Sequence, residues 1–255
     1  MPLEAPLPSA AERVAELNAR TRHHSAPDVL AHALRDPLVG RIAMVSSFGA
    51  ESVVLLHLVA QVDRTVPVVF VDTRMLFEET LAYQAEVAEQ LGLAEIRIIR
   101  PDPVAVLARD VDNILHQTDP DACCALRKTE PLERALGGFD AWINGRKRYQ
   151  GQSRTEIDFF ETDDAGRIKV NPLAMWDRDD LQSYIVENRL PRHPLVAKGF
   201  PSIGCAPCTT PVKPGEDPRA GRWRGRDKEE CGIHFVGGRL VRGGSSGTGS
   251  EESAA

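Results

Sequence analysis

Apolar residues recur at helical spacing through residues 10 to 35, with Val14 and Leu17 in one run and Val29, Leu30, Ala33 and Leu34 in the next. The pattern predicts one or two helices, interrupted near His24 to Pro27. Pro37 and Gly40 then punctuate the entry to RIAMVSS at 41–47, a β-prone run leading through FGAES into the apolar helix VVLLHLVAQV. VPVVFVDT at 66–73 reads as a second buried strand, followed by helical FEETLAYQAEVAEQLG, which stops at Gly92. EIRII at 95–99 is the third buried-strand candidate and DAWING at 140–145 the fourth. Strands alternating with helices of roughly 10 to 15 residues predict βαβ units and a parallel sheet. The expectation is a doubly wound, mostly parallel α/β domain over residues 36–195, with ligands at the carboxyl ends of its strands.

The pattern changes after Pro191. Seven prolines (191, 194, 201, 207, 211, 214 and 218) and many glycines and arginines mark a loop-rich segment too poor in apolar residues to fold alone. The division expected is an N-terminal helical segment (1–35), the α/β domain (36–195), a C-terminal functional segment (196–236) and a disordered tail (237–255).

Composition narrows the class. The chain has 255 residues, 42% hydrophobic and 27% charged, as expected of a soluble globular protein. No run approaches the roughly 18 apolar residues that span a membrane, and the N-terminus lacks the pattern of a secretory signal. A cytoplasmic location follows as the expectation, without a membrane partner. A net charge of −6 argues against a nucleic-acid partner. In a reducing compartment, clustered cysteines read as metal-binding or catalytic rather than as disulfides.

There are five cysteines: the adjacent Cys123 and Cys124, the C-x-x-C of Cys205 and Cys208, and Cys231 in ECGIH. Four thiolates suffice for a metal centre, and the fifth is left for chemistry. Zinc is the ordinary occupant of a C-x-x-C site, but its ligands usually come as two spaced pairs. A [4Fe–4S] cluster accepts more varied spacing. Arg127 and Lys128, just behind the vicinal pair, are expected to favour thiolates there. Cys231 reads either as a buried cysteine or as a nucleophile activated by a nearby cation such as His234.

Three further stretches suit an anionic ligand. SSFGAES at 46–52 sits at a strand-to-helix turn, where small residues and a helix start let backbone N–H groups meet an anion; an ordinary serine-capped turn reads equally well. Asp72 ends the second strand, as a contact for a ribose or adenine or as a helix cap. Arg146, Lys147, Arg148 and Arg154, with Arg219, Arg222, Arg224 and Arg226, form a basic set. Guanidinium forks match phosphate and sulfate oxygens, and some of this set is expected to face an anion rather than solvent.

Ser47, Gly49, Glu51 and Ser52 resemble the S-x-G-x-[DE]-S loop (PP-loop) of the adenine-nucleotide α-hydrolase-like fold. The order SSFGAES, CC-x-x-x-K, GCAPC, a basic G-R-W segment and ECGIH resembles the iron–sulfur branch of the APS/PAPS reductase family over roughly residues 40–235. That resemblance implies an adenylyl-sulfate reductase of sulfate assimilation. It places a [4Fe–4S] cluster on Cys123, Cys124, Cys205 and Cys208. It puts adenosine 5′-phosphosulfate (APS) against Ser46, Ser47, Gly49, Glu51, Ser52 and Asp72, its sulfate toward Lys128, Arg154, Arg219, Arg222 and His234. Cys231 is then the nucleophile, with thioredoxin or a similar dithiol protein as reductant. Two features depart from the family pattern: Asp72 to Thr80 lack the glycine and proline of D-T-G-[RK]-L-x-P-E-T, and the aromatic stretch after G-R-W is reduced to Trp223. The neighbouring readings are a reductase of the 3′-phosphorylated substrate PAPS, a PP-loop ATP pyrophosphatase, and a zinc-stabilised nucleotide-binding module. The sequence leaves the oligomeric state open, a homo-oligomer included.

Overall fold

The computed structural model describes residues 8–150, 154–226 and 228. The two N-terminal helices begin where local chemistry dictates. In α1 (Ala10–Thr21) Ser9 and Glu12 form a reciprocal capping box, and in α2 (Ala26–Ala33) Ser25 accepts from the Asp28 N–H just after Pro27. The break between them is that capped restart. Strand β1 (Ile42–Ser46) feeds α3 (Ser52–Val62), and β2 (Val68–Val71) feeds α4 (Glu78–Leu91). Gly92 ends α4 at φ 62, a left-handed turn that glycine adopts without steric cost. After β3 (Ile96–Ile99) come the short helices α5 (Pro103–Arg109), α6 (Leu115–Thr118) and α7 (Pro120–Cys124), then α8 (Glu130–Leu136) and β4 (Ala141–Ile143).

The predicted α/β architecture is present, with two additions. Strands β5 (Phe160–Thr162) and β6 (Ile168–Val170) form a hairpin that the sequence reading passed over. At three residues each, they are too short for their alternation to stand out, although the intervening DDAG is a turn signal. The six-stranded sheet runs β3–β2–β1–β4–β6–β5, parallel except at β5. EIRII is correctly a strand but not a buried one. It lies at the sheet edge with Ile98 45% exposed, because the apolar faces of α5 never close over it and α5 buries no residue.

One large core joins α1 to α4 and α9 (Arg178–Glu187) to the sheet through Leu17, Val29, Leu30, Val54, Leu56, Tyr83, Phe160 and Leu181. A smaller core of Val69, Val71, Leu132, Leu136 and Trp142 fills the opposite face. The N-terminal helices are part of the first core, and Asn18 ties α1 to the sheet edge by bonding both the N–H and the C=O of Phe160. Strand order reverses between β1 and β4, so their carboxyl ends diverge and leave a crevice there.

His193, only 1% exposed, bridges α4 to the chain entering the loop-rich segment. Its Nδ1 accepts from the Leu195 N–H at 3.2 Å, which leaves Nε2–H to donate to Thr80 Oγ1 at 3.1 Å. Burial holds its pKa down at about 4, against 6.5 for a free imidazole. A depressed histidine pKa means that stability is complete above pH 6.5 and is lost as pH falls toward 4, because the unfolded chain takes up the proton first. The drop is worth roughly 3 kcal/mol. Denaturant titrations from pH 7 to pH 4 are expected to show this loss, and His193→Gln is expected to flatten it. A parallel slope in the variant would contradict the assignment.

Candidate active site

At the carboxyl ends of β1 and β4 lies a cleft of about 680 Å³, within the range of small-ligand sites. Its floor is the turn after β1. Phe48 takes φ 47 with its ring fully buried against Phe70, while the Phe48 N–H donates to Ser46 Oγ at 3.2 Å. Gly49 N–H donates to Ser52 Oγ at 3.0 Å, and no side-chain hydrogen bond caps the start of α3. A helix start in this condition presents partial positive charge to the cleft.

The opposite wall follows β4. Lys147 is buried and donates to the Glu51 carboxylate at 2.6 Å, which also accepts from Tyr149 and Gln150. Burial pushes the Lys147 pKa down; Glu51 opposes this, and the positive charges of Arg154 and Arg219 add to it. Arg154 donates to Gln150 at 2.6 Å, and Arg178 stacks over Tyr149. Lys128, Arg154, Arg219 and Arg222 line the cleft together with Lys147 and three further cations, Arg146, Arg178 and Lys228.

Beside the cleft, Cys123, Cys124, Cys205 and Cys208 line one small cavity. Residues 125–129 form a π-turn between α7 and α8, closed by Glu130 N–H bonding back to Ala125 O. The cause is Pro131, which has no N–H to offer the Arg127 carbonyl and whose ring crowds it. Across the widened turn Arg127 faces inward, bonded to Asp110 at 2.7 Å and Asn113 at 2.9 Å, while Lys128 lines both cavities. The C-x-x-C arrives on a strap pinned at both ends. Ala206 N–H donates to Met75 O at 2.8 Å, and Trp223 N–H donates to Cys208 O at 3.0 Å. Thr73 Oγ1 accepts from Met75 N–H, leaving its proton for Cys205 Sγ at 3.2 Å.

At Cys123 and Cys208 the thiolate is not favoured in the absence of a cation, contrary to the expectation drawn from Arg127 and Lys128. Burial, followed by the neighbouring Cys124 and Cys205, pushes the Cys123 thiol up to about 12, outweighing Arg127. Asp110 already neutralises that guanidinium. Cys208 is likewise raised by burial and Cys205, with Arg226, Arg222 and Lys128 pulling the other way. Among the described residues no three cysteine, histidine or carboxylate groups gather as ligands of one ion would.

Of the residues expected to meet a ligand, Ser46, Ser47, Gly49, Glu51, Ser52, Lys128, Arg154, Arg219 and Arg222 line the cleft. Asp72 does not line it. Its carboxylate accepts from the Arg74 N–H at 2.9 Å and from Arg100 at 2.9 Å, shaping a turn in which Arg74 stands at φ 62, the position where the family pattern has glycine. Cys231 and His234 lie outside the described residues. Arg224 is paired with Glu216 on the surface, and Arg226 donates to His116 O. The sequence reading missed Tyr149, Gln150, Arg178 and Lys228 in the cleft and Thr73 beside the cysteines. Proximity of Tyr149 and Gln150 to the basic GRKR run was the available signal.

A family model described as the phosphoadenosine phosphosulfate reductase domain matches residues 41–211. The chain belongs to the phosphoadenosine phosphosulfate reductase family. Relatives named adenosine 5′-phosphosulfate reductase include one from Mesorhizobium japonicum, 47% identical over 89% of each chain. Another, from Chelativorans sp., is 49% identical over 87% of this chain and 91% of that one. A relative from Gloeobacter violaceus, named phosphoadenosine 5′-phosphosulfate reductase, is 42% identical over 85% of this chain and 91% of its own. Among solved structures, the phosphoadenylyl-sulfate reductase of Candida auris in a phosphate complex superposes with a TM-score of 0.69 at 27% identity, covering 81% of this chain and all of that one. Yeast FAD synthetase, at TM-score 0.51 and 19% identity, shares the fold.

Two glycines of this reductase-family chain test how the cleft wall is built. A Cβ on Gly204 would stand 2.6 Å from Arg222 Cζ, the far end of a side chain that can move. A Cβ on Gly221 would collide with the Thr210 carbonyl oxygen, which is backbone and cannot. Gly204→Ala is expected to keep the thermal midpoint within a few degrees, because the Arg222 side chain can move aside. Gly221→Ala is expected to destabilise the fold by roughly 1 to 3 kcal/mol. Equal thermal loss in both variants would refute this distinction.

Proposed function

We propose that the protein is an adenylyl-sulfate reductase that converts APS to sulfite and AMP in cytoplasmic sulfate assimilation, with thioredoxin or a similar dithiol protein as reductant. The observation that carries the reading is a shared wall: Lys128, Arg222 and Trp223 line both the cationic cleft and the four-cysteine cavity. Relatives named for APS reduction cover nearly the whole chain.

The nucleotide lies along the turn after β1, with its phosphosulfate toward Lys128, Arg154, Arg219, Arg222 and His234. The negative anhydride repels a thiolate, and these cations offset that repulsion and stabilise the developing charge. The Cys231 thiolate attacks the sulfate sulfur. A sulfur–sulfur bond forms, the sulfur–oxygen bond to the phosphate breaks, and AMP leaves with the electron pair. A thiolate of the dithiol protein then attacks Cys231 Sγ and releases sulfite. Its second thiol frees Cys231, and the dithiol is oxidised to a disulfide as the sulfate is reduced by two electrons.

The donor set of the second cavity fits a [4Fe–4S] cluster on Cys123, Cys124, Cys205 and Cys208. All four thiols line one cavity, and burial raises the Cys123 and Cys208 thiols, so a cationic centre would be needed to hold them as thiolates. When bound, the cluster supplies fixed charge beside the substrate rather than electrons to it. Lys128, on the shared wall, links the two electrostatically.

The Gloeobacter relative keeps PAPS as the second reading. Turnover of both nucleotides at equal concentration separates the two, and a clear preference for PAPS would overturn the first. Protein purified anaerobically is expected to be brown, with iron and sulfide in equal amounts. Cys231→Ser is expected to keep the iron and lose both sulfite production and the sulfonate mass that APS alone adds to the wild type. Sulfite production by that variant would refute the nucleophile.

A further inference from the structure

The four-cysteine cavity holds a donor that neither the fold nor the proposed reaction uses. Two residues of its lining, His116 and Arg222, each carry a buried side-chain nitrogen with no hydrogen-bond partner among the described residues: His116 Nδ1 and Arg222 Nε. Arg222 faces the sulfate in the proposed reaction. His116 has no part in it, and it lines the cysteine cavity without lining the cleft. Its Nε2 accepts from the Gln117 side-chain amide at 3.2 Å. With Nε2 an acceptor, the ring proton sits on Nδ1, a donor shut away from water.

A buried N–H without an acceptor costs the full desolvation of that group, so other contacts must hold the ring in place. Helix α6 is fixed from two sides. Asp110 accepts from the Leu115 N–H at 2.8 Å, and Arg226 donates to the His116 carbonyl. The same Asp110 carboxylate accepts from Arg127 at 2.7 Å, in the turn just after Cys123 and Cys124. One carboxylate thus sets both the His116 segment and the vicinal cysteines against the cavity. On its far side, Thr73 Oγ1 already donates to Cys205 Sγ at 3.2 Å. Sulfur bound to a metal is an acceptor with no proton of its own, and it is what an orphaned N–H in this lining lacks.

We propose that His116 is a positioning residue of the centre held by the four cysteines: its Nδ1–H donates to a sulfur of that group and slows the group's loss. The inference rests on the cluster reading of this cavity. Hydrogen bonds of this kind are commonly worth about ten- to a hundred-fold in metal retention.

The experiment takes anaerobically purified, cluster-loaded protein and follows iron loss to a chelator in the wild type and three variants. Leucine fills similar space without a donor. Asparagine puts an amide nitrogen where Nδ1 stands, and glutamine puts one where Nε2 stands. His116→Leu and His116→Gln are expected to lose iron about ten-fold faster than the wild type, and His116→Asn to stay within about three-fold of it. Asparagine and glutamine bring the same chemistry to different places, so that split reads the position of the donor rather than the folding of α6. Nitrogen NMR of labelled histidine in the loaded wild type, assigned with His116→Asn, is expected to show the proton on Nδ1. Wild-type retention in His116→Leu would overturn the assignment, as would equal acceleration in all three variants or a proton on Nε2. A wild type carrying no iron and sulfide would overturn the cluster reading, and this inference with it.

Discussion

The cleft depends on one ion pair, the buried Lys147 on the partly buried Glu51. The carboxylate comes from the turn after β1 and the ammonium from the extension of β4, so the pair ties together the two strand ends that the reversal of strand order drives apart. Without Glu51, Lys147 would sit desolvated beside Arg154 and Arg219, each adding to its cost. With it, Lys147 is neutralised while the other cations lining the cleft outnumber its carboxylates, Glu51 and Asp217. Tyr149 and Gln150 bond to the same carboxylate and bring Arg154 along through Gln150.

The second cavity rests on a defect placed in a helix. Pro131 cannot continue an α-helical ladder, and the π-turn it causes sends Arg127 into the Asp110 pair and Lys128 to the wall between the two cavities. From the other side, the absence of side chains at Gly204 and Gly221 lets Arg222 and the Thr210 carbonyl approach the strap closely. The same wall is thus built from helical turns of one region of the chain and from a strap and a guanidinium of another, the loop-rich segment that follows it.

Much of this was legible from the residues. The β1, β2 and β4 runs, the helix ending at Gly92 and the loop-rich character after Pro191 all follow from apolar period and from glycine and proline, because such signals are local. The hairpin at 160–170 was not, because three-residue strands carry almost no periodicity. The exposure of Ile98 was not either: an edge strand and a central one have the same composition, and only the packing of α5 decides between them. Asp72 illustrates a third limit. An acidic residue at a strand end serves a ribose or a turn equally well, and the placement of Arg100 and the Arg74 N–H decides for the turn.

Taken alone, the sequence determined the alternation of strands and helices, the division of five cysteines into two pairs and one, and the family to which their order belongs. Those are properties of residue type and spacing, written along the chain. Tertiary structure decided which charges meet. It put Glu51 on Lys147 and Lys228 on Asp121, took Arg127 out of play, and brought Cys123 and Cys124 to one cavity with Cys205 and Cys208. Pairing of this kind depends on distance and burial, and residues roughly a hundred positions apart in sequence acquire both only when the chain has folded.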